Sequence, residues 1–297
     1  MFKRQSLHDK WFDVFNYAGL IGIAIVVMYP LIFIVSASFS SPEAVNQGLV
    51  WLWPKGFSLK GYERIFASEA IWRGYGNTIL YTAVGVTINL FMTITAAYAL
   101  SRKHFMIRRF VSVLFVFTMF FGGGLIPTYL LVKNLGMLDS IWALVIPNAV
   151  SMFQIIITRT FFETSIPDEL RESAMIDGCS DIKYLLRIVV PLSMPIIAVL
   201  AIFYGVDHWN SYFSALIYMS EQSTYPLQLV LRQILIQNQI SGEIMGLDDV
   251  YLAAEKQQIA DLMKFGIIIV SSLPIIMVYP FLQRYFVKGM MIGAIKG

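Results

Sequence analysis

Along the chain, long apolar runs alternate with short polar ones, and the runs are long enough to be membrane helices. A bilayer core of about 30 Å takes about 20 residues at about 1.5 Å each, with every backbone polar group satisfied within the helix. Six stretches qualify: Asn16–Phe39, Asn77–Leu100, Phe110–Val132, Ile141–Phe162, Val190–Ile217 and Leu262–Phe286. The pattern predicts an all-α integral membrane protein of about six transmembrane helices. Residues 16–290 form its membrane domain, with a segment at 1–15 and a tail at 291–297. The first run could pass for a signal peptide, because Lys3, Arg4 and Lys10 precede it and Ser36-Ala37-Ser38 is small. It is too long for that and is read as a retained helix.

Charge sets the sidedness. Ser101–Arg109 carries Arg102, Lys103, Arg108 and Arg109, and the C-terminal end carries Arg284, Lys288 and Lys296. Short basic loops stay in the cytoplasm. Both termini are therefore expected inside, and the number of spans even. The external segment Ser40–Gly76 holds Lys55, Lys60, Arg64 and Arg73 against this trend, which longer translocated segments tolerate. Trp11, Phe12, Trp51, Trp53, Trp72 and Tyr75 fall near span ends, as interfacial anchors do. Pro30, Pro127, Pro147, Pro195, Pro274 and Pro280 lie in or near spans, and Gly122-Gly123-Gly124 interrupts the third. Such breaks mark helices that line a pathway.

Composition narrows the function. Of 297 residues, 57% are hydrophobic and 14% charged, the mean hydropathy is +0.67 and the net charge is +3. A soluble domain is excluded, and no basic excess argues for nucleic acid. The single Cys179 allows no internal disulfide. Neither H-E-x-x-H nor G-x-S-x-G occurs, and no G-x-x-x-x-G-K-[ST] loop is there to cradle nucleotide phosphates.

The most charged segment, Glu163–Arg187, falls in the cytoplasmic loop 163–189. Pro167 suits a first helical turn, Asp168 and Glu169 complement a helix start, and Gly178 stands where a C-terminal cap needs positive φ. Ser180 or Asp181 then caps a second helix running to Pro191. Two short helices folded about a glycine turn are expected, with Ser173 and Ala174 small enough for another surface to approach.

Glu172-Ser173-Ala174, Asp177-Gly178, Ile188 and Pro191 resemble the EAA loop of binding-protein-dependent ABC import permeases. Ser173 replaces the first Ala of that pattern, and Val190 precedes Pro191 where Leu is usual. The run Pro280–Gly289 and the ending Gly293–Gly297 are similar to the tail of maltose-type carbohydrate permeases. Segments such as FTMFFGGGLIPTYLLVKNLG and HWNSYFSALIY look like the LplC/YtcP branch, whose members accompany uptake of oligosaccharides from complex polysaccharides. The resemblance implies a type I ABC importer transmembrane domain. It implies as partners a second permease subunit, a cytoplasmic ATPase dimer that binds ATP and Mg, an extracytoplasmic solute-binding protein and an oligosaccharide. No cofactor is expected in this chain. Glu172, Ser173, Ala174, Asp177, Gly178 and Pro191 become ATPase-coupling candidates, and Lys296 and Gly297 tail contacts.

In the fifth stretch Tyr204, Asp207, Ser211 and Ser214 recur at helical spacing as a polar stripe, with His208, Trp209 and Asn210 beside it. Tyr204, Asp207, His208, Trp209 and Asn210 are candidates for a sugar path. An ionisable residue at that depth is a functional hypothesis by default. The other reading pairs Asp207 with His208 or a neighbouring helix and leaves Trp209 as a belt residue. Asn77, Asn89, Asn148 and Gln154 read as helix-to-helix hydrogen bonds. In the external loop 218–261, Leu227, Val230, Leu231, Ile234 and Leu235 form a helical apolar stripe, for packing or for contact with the binding protein. A self-sufficient carrier would show inverted repeats, and an enzyme a catalytic cluster; the sequence displays neither.

Overall fold

The computed structural model describes residues 7–244 and 263–280, and among these every regular element is helical. The helices are α1 Leu7–Ser38, α2 Pro42–Asn46, α3 Lys60–Ala67, α4 Glu69–Ser101, α5 Arg108–Phe120, α6 Leu125–Asn134, α7 Ile141–Val145 and α8 Met152–Ser165. They continue with α9 Asp168–Ile176, α10 Asp181–Tyr184, α11 Val190–Leu192, α12 Met194–Asn210, α13 Phe213–Tyr218, α14 Leu227–Ile244 and α15 Met263–Pro280. By length and composition, α1, α4 and α15 can each cross a membrane unbroken.

The other apolar stretches are interrupted, near the Gly and Pro residues read above as marking breaks. Phe110–Val132 is α5 and α6, whose axes differ by 115°, with Gly124 at φ +83 between them. Ile141–Phe162 opens between α7 and α8 at residues 146–151, around Pro147. Val190–Ile217 belongs to a helical run that starts earlier, at Asp181, bends by 81° at Ser193 and stops at Asn210. Pro191 and Pro195, four apart, supply no N–H and crowd the carbonyls of the preceding turn. The chain responds with a π turn over Leu185–Val189. The Ser193 N–H is then shared between the Val189 and Val190 carbonyls at 3.0 and 3.1 Å. Because α12 ends at Asn210, Ser211 and Ser214 leave its helical stripe. Of Leu262–Phe286, α15 covers 263–280; the remainder lies outside the described residues.

The chain divides into two compact units. The first combines residues up to Glu69 with Leu231–Leu273. Within it Ser36 Oγ donates to the Leu52 carbonyl at 2.6 Å, Ser40 Oγ accepts from Lys55 N at 3.1 Å, and Tyr62 Oη donates to Ser38 Oγ at 2.9 Å. These bonds pin the loop after α2, and α3 behind it, to the end of α1. Phe33 meets Phe265 edge-on at 5.8 Å. Most of α1 is apolar yet uncovered by this chain, as a lipid- or subunit-facing helix is.

The second unit, Ala70–Val230 with the chain from Pro274, is organised around α4. Gly74, Thr78, Tyr81, Gly85, Asn89, Thr93 and Ala97 form its buried stripe. Thr78 Oγ1 accepts from Leu227 N at 2.8 Å, Asn77 Nδ2 donates to the Ser223 and Tyr225 carbonyls, and Tyr81 Oη donates to the Thr224 carbonyl. Deeper, Asn89 Nδ2 donates to the Asn148 carbonyl at 2.7 Å, inside the break between α7 and α8. Asn89 Oδ1 meets His208 Nε2 at 2.7 Å, and Thr93 Oγ1 bonds Tyr204 Oη at 2.7 Å. At Gly85 an added Cβ would stand inside contact distance of the His208 ring, which the Asn89 bond holds in place. Gly85→Val should therefore force α4 and α12 apart, at about 1–3 kcal/mol for overpacking. Asn89→Ala should cost about 1–2 kcal/mol as an intramembrane hydrogen bond does. Thermal unfolding of the purified complex in detergent checks both, and an unchanged midpoint for Gly85→Val would refute the packing.

Candidate coupling loop and translocation path

The loop between α8 and α12 is a capped helix on a built base. Pro167 sits one position before α9, at φ −59 and ψ 142, and not in its first turn as expected from sequence. The ring there fixes the entry without removing a needed N–H. Asp168 and Glu169 occupy the first turn, beside the positive end of the helix. At the other end Gly178 has φ +70. Its N–H reaches the Met175 carbonyl at 3.0 Å, and Cys179 N–H reaches that of Ala174 at 2.9 Å. This is a Schellman cap, and it places the positive φ where the sequence expects it. A Cβ at Gly178 would meet nothing within 4 Å, so backbone conformation alone demands the glycine. Ser180, and not Asp181, caps α10, accepting from Lys183 N at 3.4 Å.

The structure separates Ser173 from Ala174. Ala174 is buried in a cluster with Tyr98, Phe162, Ile166, Tyr184, Leu185 and Val189, so it faces the chain's own core and offers no surface for approach. Ser173, Glu172, Asp177 and Gly178 are exposed, with Leu170 at 42%, Met175 at 55% and Ile176 at 87%. Pro191 acts from within the bend below.

Ion pairs tie this helix to the membrane elements. Lys103 Nζ bonds Asp168 Oδ2 at 2.8 Å. That bond pulls the Asp168 carboxyl below its ordinary 3.8 and pushes Lys103 above 10.5. The Asp168 contribution is present above pH 3.8 and fades as pH falls through its lowered value. The Lys103 contribution is present below pH 10.5 and fades as pH rises through its raised value. Both groups are exposed, so the bridge orients more than it stabilises. Glu163 Oε1 lies 3.0 Å from Arg159 and 3.9 Å from Arg108. Asp181 Oδ1 receives Arg171 Nη2 of α9 at 3.3 Å and Tyr98 Oη of α4 at 3.4 Å, while the Arg102 guanidinium covers the Tyr98 ring at 4.8 Å. One carboxylate thus joins α9, α10 and α4. Beside it opens a cleft of about 440 Å³ lined by the charged residues Arg102, Lys103, Asp168, Arg171 and Glu172 together with His104 and Met175. Sequence reasoning missed Tyr98, Arg171 and Asp181 as a set, since 83 residues separate Tyr98 from Asp181.

The path candidates divide by face. Tyr204 and His208 are held by Thr93 and Asn89, and Trp209, 7% exposed, packs its ring 6.2 Å from that of Tyr75. Asp207 and Asn210 are exposed on the opposite side of α12. His208 is engaged with Asn89 and not with Asp207. In the apolar stripe after α13, Leu227, Val230 and Leu231 are buried, and Ile234 and Leu235 half-buried. Lys296 and Gly297 lie outside the described residues.

A model of the family described as binding-protein-dependent transport system inner membrane component matches residues 71–292. The chain belongs to this family. It is 42% identical over 286 residues to Protein LplC of Bacillus subtilis (strain 168), covering 96% of this chain and 95% of that one. Identity is 38% over 291 residues to the polygalacturonan/rhamnogalacturonan transport system permease protein YtcP of the same organism, covering 98% and 100%. Among solved structures, the chain matches one from a bacterial ABC transporter involved in import of the acidic polysaccharide alginate. The TM-score is 0.85 at 32% identity, with 96% of this chain and 100% of that chain covered. The protein is an ABC importer permease, all-helical among the described residues, as the EAA-like loop led the sequence reading to expect.

In this permease Asp181 should act as a unit with its two donors. Tyr98→Phe and Arg171→Gln are each expected to lower stability by about 0.5–1.5 kcal/mol, and each by less in an Asp181→Asn background. Additive losses in a double-mutant cycle would show that the three groups do not share one joint.

Proposed function

We propose that this chain is one of two permease subunits of a type I importer and hydrolyses no ATP itself. A separate cytoplasmic ATPase dimer binds ATP and Mg, and a solute-binding protein delivers the oligosaccharide from outside. Both termini lie in the cytoplasm, and the chain crosses the membrane repeatedly.

The observation that carries this reading is the tip of α9. Leu170, Met175 and Ile176 leave apolar surface that this chain does not cover, on a helix capped by a left-handed glycine and anchored to α4 through Asp181. Exposed apolar surface rimmed by polar residues marks a contact surface, and a cleft in the ATPase dimer is its proposed cover. Glu172, Ser173, Asp177 and Gly178 make the rim of that contact. Ala174 and Pro191 act behind it, one by seating the helix and the other by setting the bend toward α12. When the dimer closes on ATP, α9 moves as a lever, and Asp181 with the Ala174 cluster carries the movement to the ends of α4 and α8. Differential affinity of the ATPase for two arrangements of α9 then shifts the membrane helices between two states. Lys296 and Gly297 are proposed as a second ATPase contact.

Asp207 and Asn210 are proposed as sugar-path residues, with Tyr204, His208 and Trp209 holding α12 in position. The segment around α14 is proposed to meet the binding protein. The substrate is an oligosaccharide released from a complex polysaccharide. The names of YtcP and of the alginate transporter include acidic polymers among the candidates.

Ile176→Asp should abolish nucleotide-dependent co-purification of the ATPase while leaving the two permease subunits together. Gly178→Val should leave assembly partly intact and abolish uptake. Normal uptake by Gly178→Val would remove the coupling assignment.

A further inference from the structure

On α12 one face is committed to packing. The other presents Phe203, Val206, Asp207 and Asn210, spaced i, i+3, i+4 and i+7, which this chain leaves uncovered. Asp207 is the one acidic residue in any of the six apolar stretches. Its carboxylate has no hydrogen bond or ion pair among the described residues, and the neighbouring His208 ring is turned to Asn89. No Lys or Arg occurs between Arg187 and Arg232, so nothing on α11, α12 or α13 neutralises it.

Two separate features exclude hydrocarbon from this face. An ionised carboxylate is too costly to turn toward hydrocarbon. Just beyond it α12 stops, and Ser211 runs extended at φ −70 and ψ 108 before α13 begins. Non-helical backbone at membrane depth is tolerated only in protein or along a water-filled cavity. The chemistry of the face is one-sided. The carbonyl end of a 17-residue helix, equivalent to about half a negative charge, lies one turn from Asp207. The Asn210 amide donates inward to the Val206 carbonyl at 2.9 Å, which leaves its oxygen free to accept. Acceptors therefore predominate, flanked by the exposed rings of Phe203 and Phe213. Sugar hydroxyls can donate to such a surface, and a ring face can rest on the aromatics. A uronate carboxylate would meet only like charge.

We propose that this face lines a water-filled, electronegative stretch of the translocation path that passes neutral, hydroxyl-rich oligosaccharides and disfavours uronate-bearing ones. The proposal rests on the fifth apolar stretch belonging to the path, and within that reading it names the substrate class.

The single cysteine permits a direct test. In a Cys179→Ser background, Asn210→Cys is assembled with the partner permease and ATPase in lipid nanodiscs. Its modification rates by cationic and anionic methanethiosulfonates are measured, each normalised to 2-mercaptoethanol. The thiol should react from water and favour the cationic reagent by about tenfold or more, the enrichment expected of a charged cleft. Adding Asp207→Asn should remove most of that preference, and Asp207→Glu should keep it. Phe203→Cys, on the same face, gives the same measurement if Asn210→Cys does not assemble. An unreactive thiol in a complex that still takes up substrate puts the face against lipid or the partner subunit, and overturns the proposal. A preference that survives Asp207→Asn does the same. If the complex without these substitutions binds no ATPase, the failure belongs to the function proposed above.

Discussion

Hydrocarbon offers no hydrogen bonds, so any interruption of a membrane helix must have its backbone groups satisfied by the protein itself. This chain interrupts several of its apolar stretches, and one face of α4 supplies much of the remedy. Asn89 reaches the Asn148 carbonyl where α7 and α8 part company. Nearer the N-terminal end of α4, Asn77, Thr78 and Tyr81 hold residues 223–227, which lead into α14. The same face bonds Tyr204 and His208 of α12, so one straight helix sets the position of the broken ones. Its glycines matter for a related reason. Gly74 lets the Leu227 backbone approach within 3.1 Å of where a Cβ would stand, and Gly85 makes room for an imidazole.

The C-terminal end of α4 serves a different purpose. Tyr98 and Ala97 enter the cluster that seats Ala174, and Tyr98 shares Asp181 with Arg171. A nine-residue helix is too short to persist alone in water. Here α9 gains persistence from a Schellman cap at its C-terminal end, an ion pair to the loop before α5 and a buried alanine beneath it. Rigidity of that kind is what a lever requires. The apolar tip, exposed beyond these supports, is free for a contact that the chain itself does not make.

Incompleteness runs through the surface as a whole. Most of α1 and α5 is apolar and uncovered, and α12 turns a carboxylate outward. Lipid can cover the first kind of surface but not the second. The chain thus separates faces that a bilayer can solvate from a face that needs water or another subunit, a division expected of half a transport pathway.

Much of this was legible in the residues. Length and hydropathy identified membrane helices, since span length follows from bilayer thickness whatever the neighbours. Gly178 announced its positive φ, because cap geometry is local and depends on a few adjacent residues. The EAA-like spacing identified the family for the same reason, being contained in one short segment. Continuity of the helices was less legible. Hydropathy reads apolar content, and residues 146–151 and 211–212 are apolar or neutral enough to pass as helix. Facing was not legible at all. Ser173 and Ala174 are neighbours of similar size, yet one is exposed and the other seated under the helix. His208 stands beside Asp207 and bonds Asn89, 119 residues away. The sequence by itself determined that this is a membrane-embedded importer subunit with a glycine-capped helix in its most charged loop, because those properties are set by composition and local backbone chemistry. Only the tertiary structure decided which polar groups hold the breaks together and which remain free for transport, because that depends on partners distant in the chain.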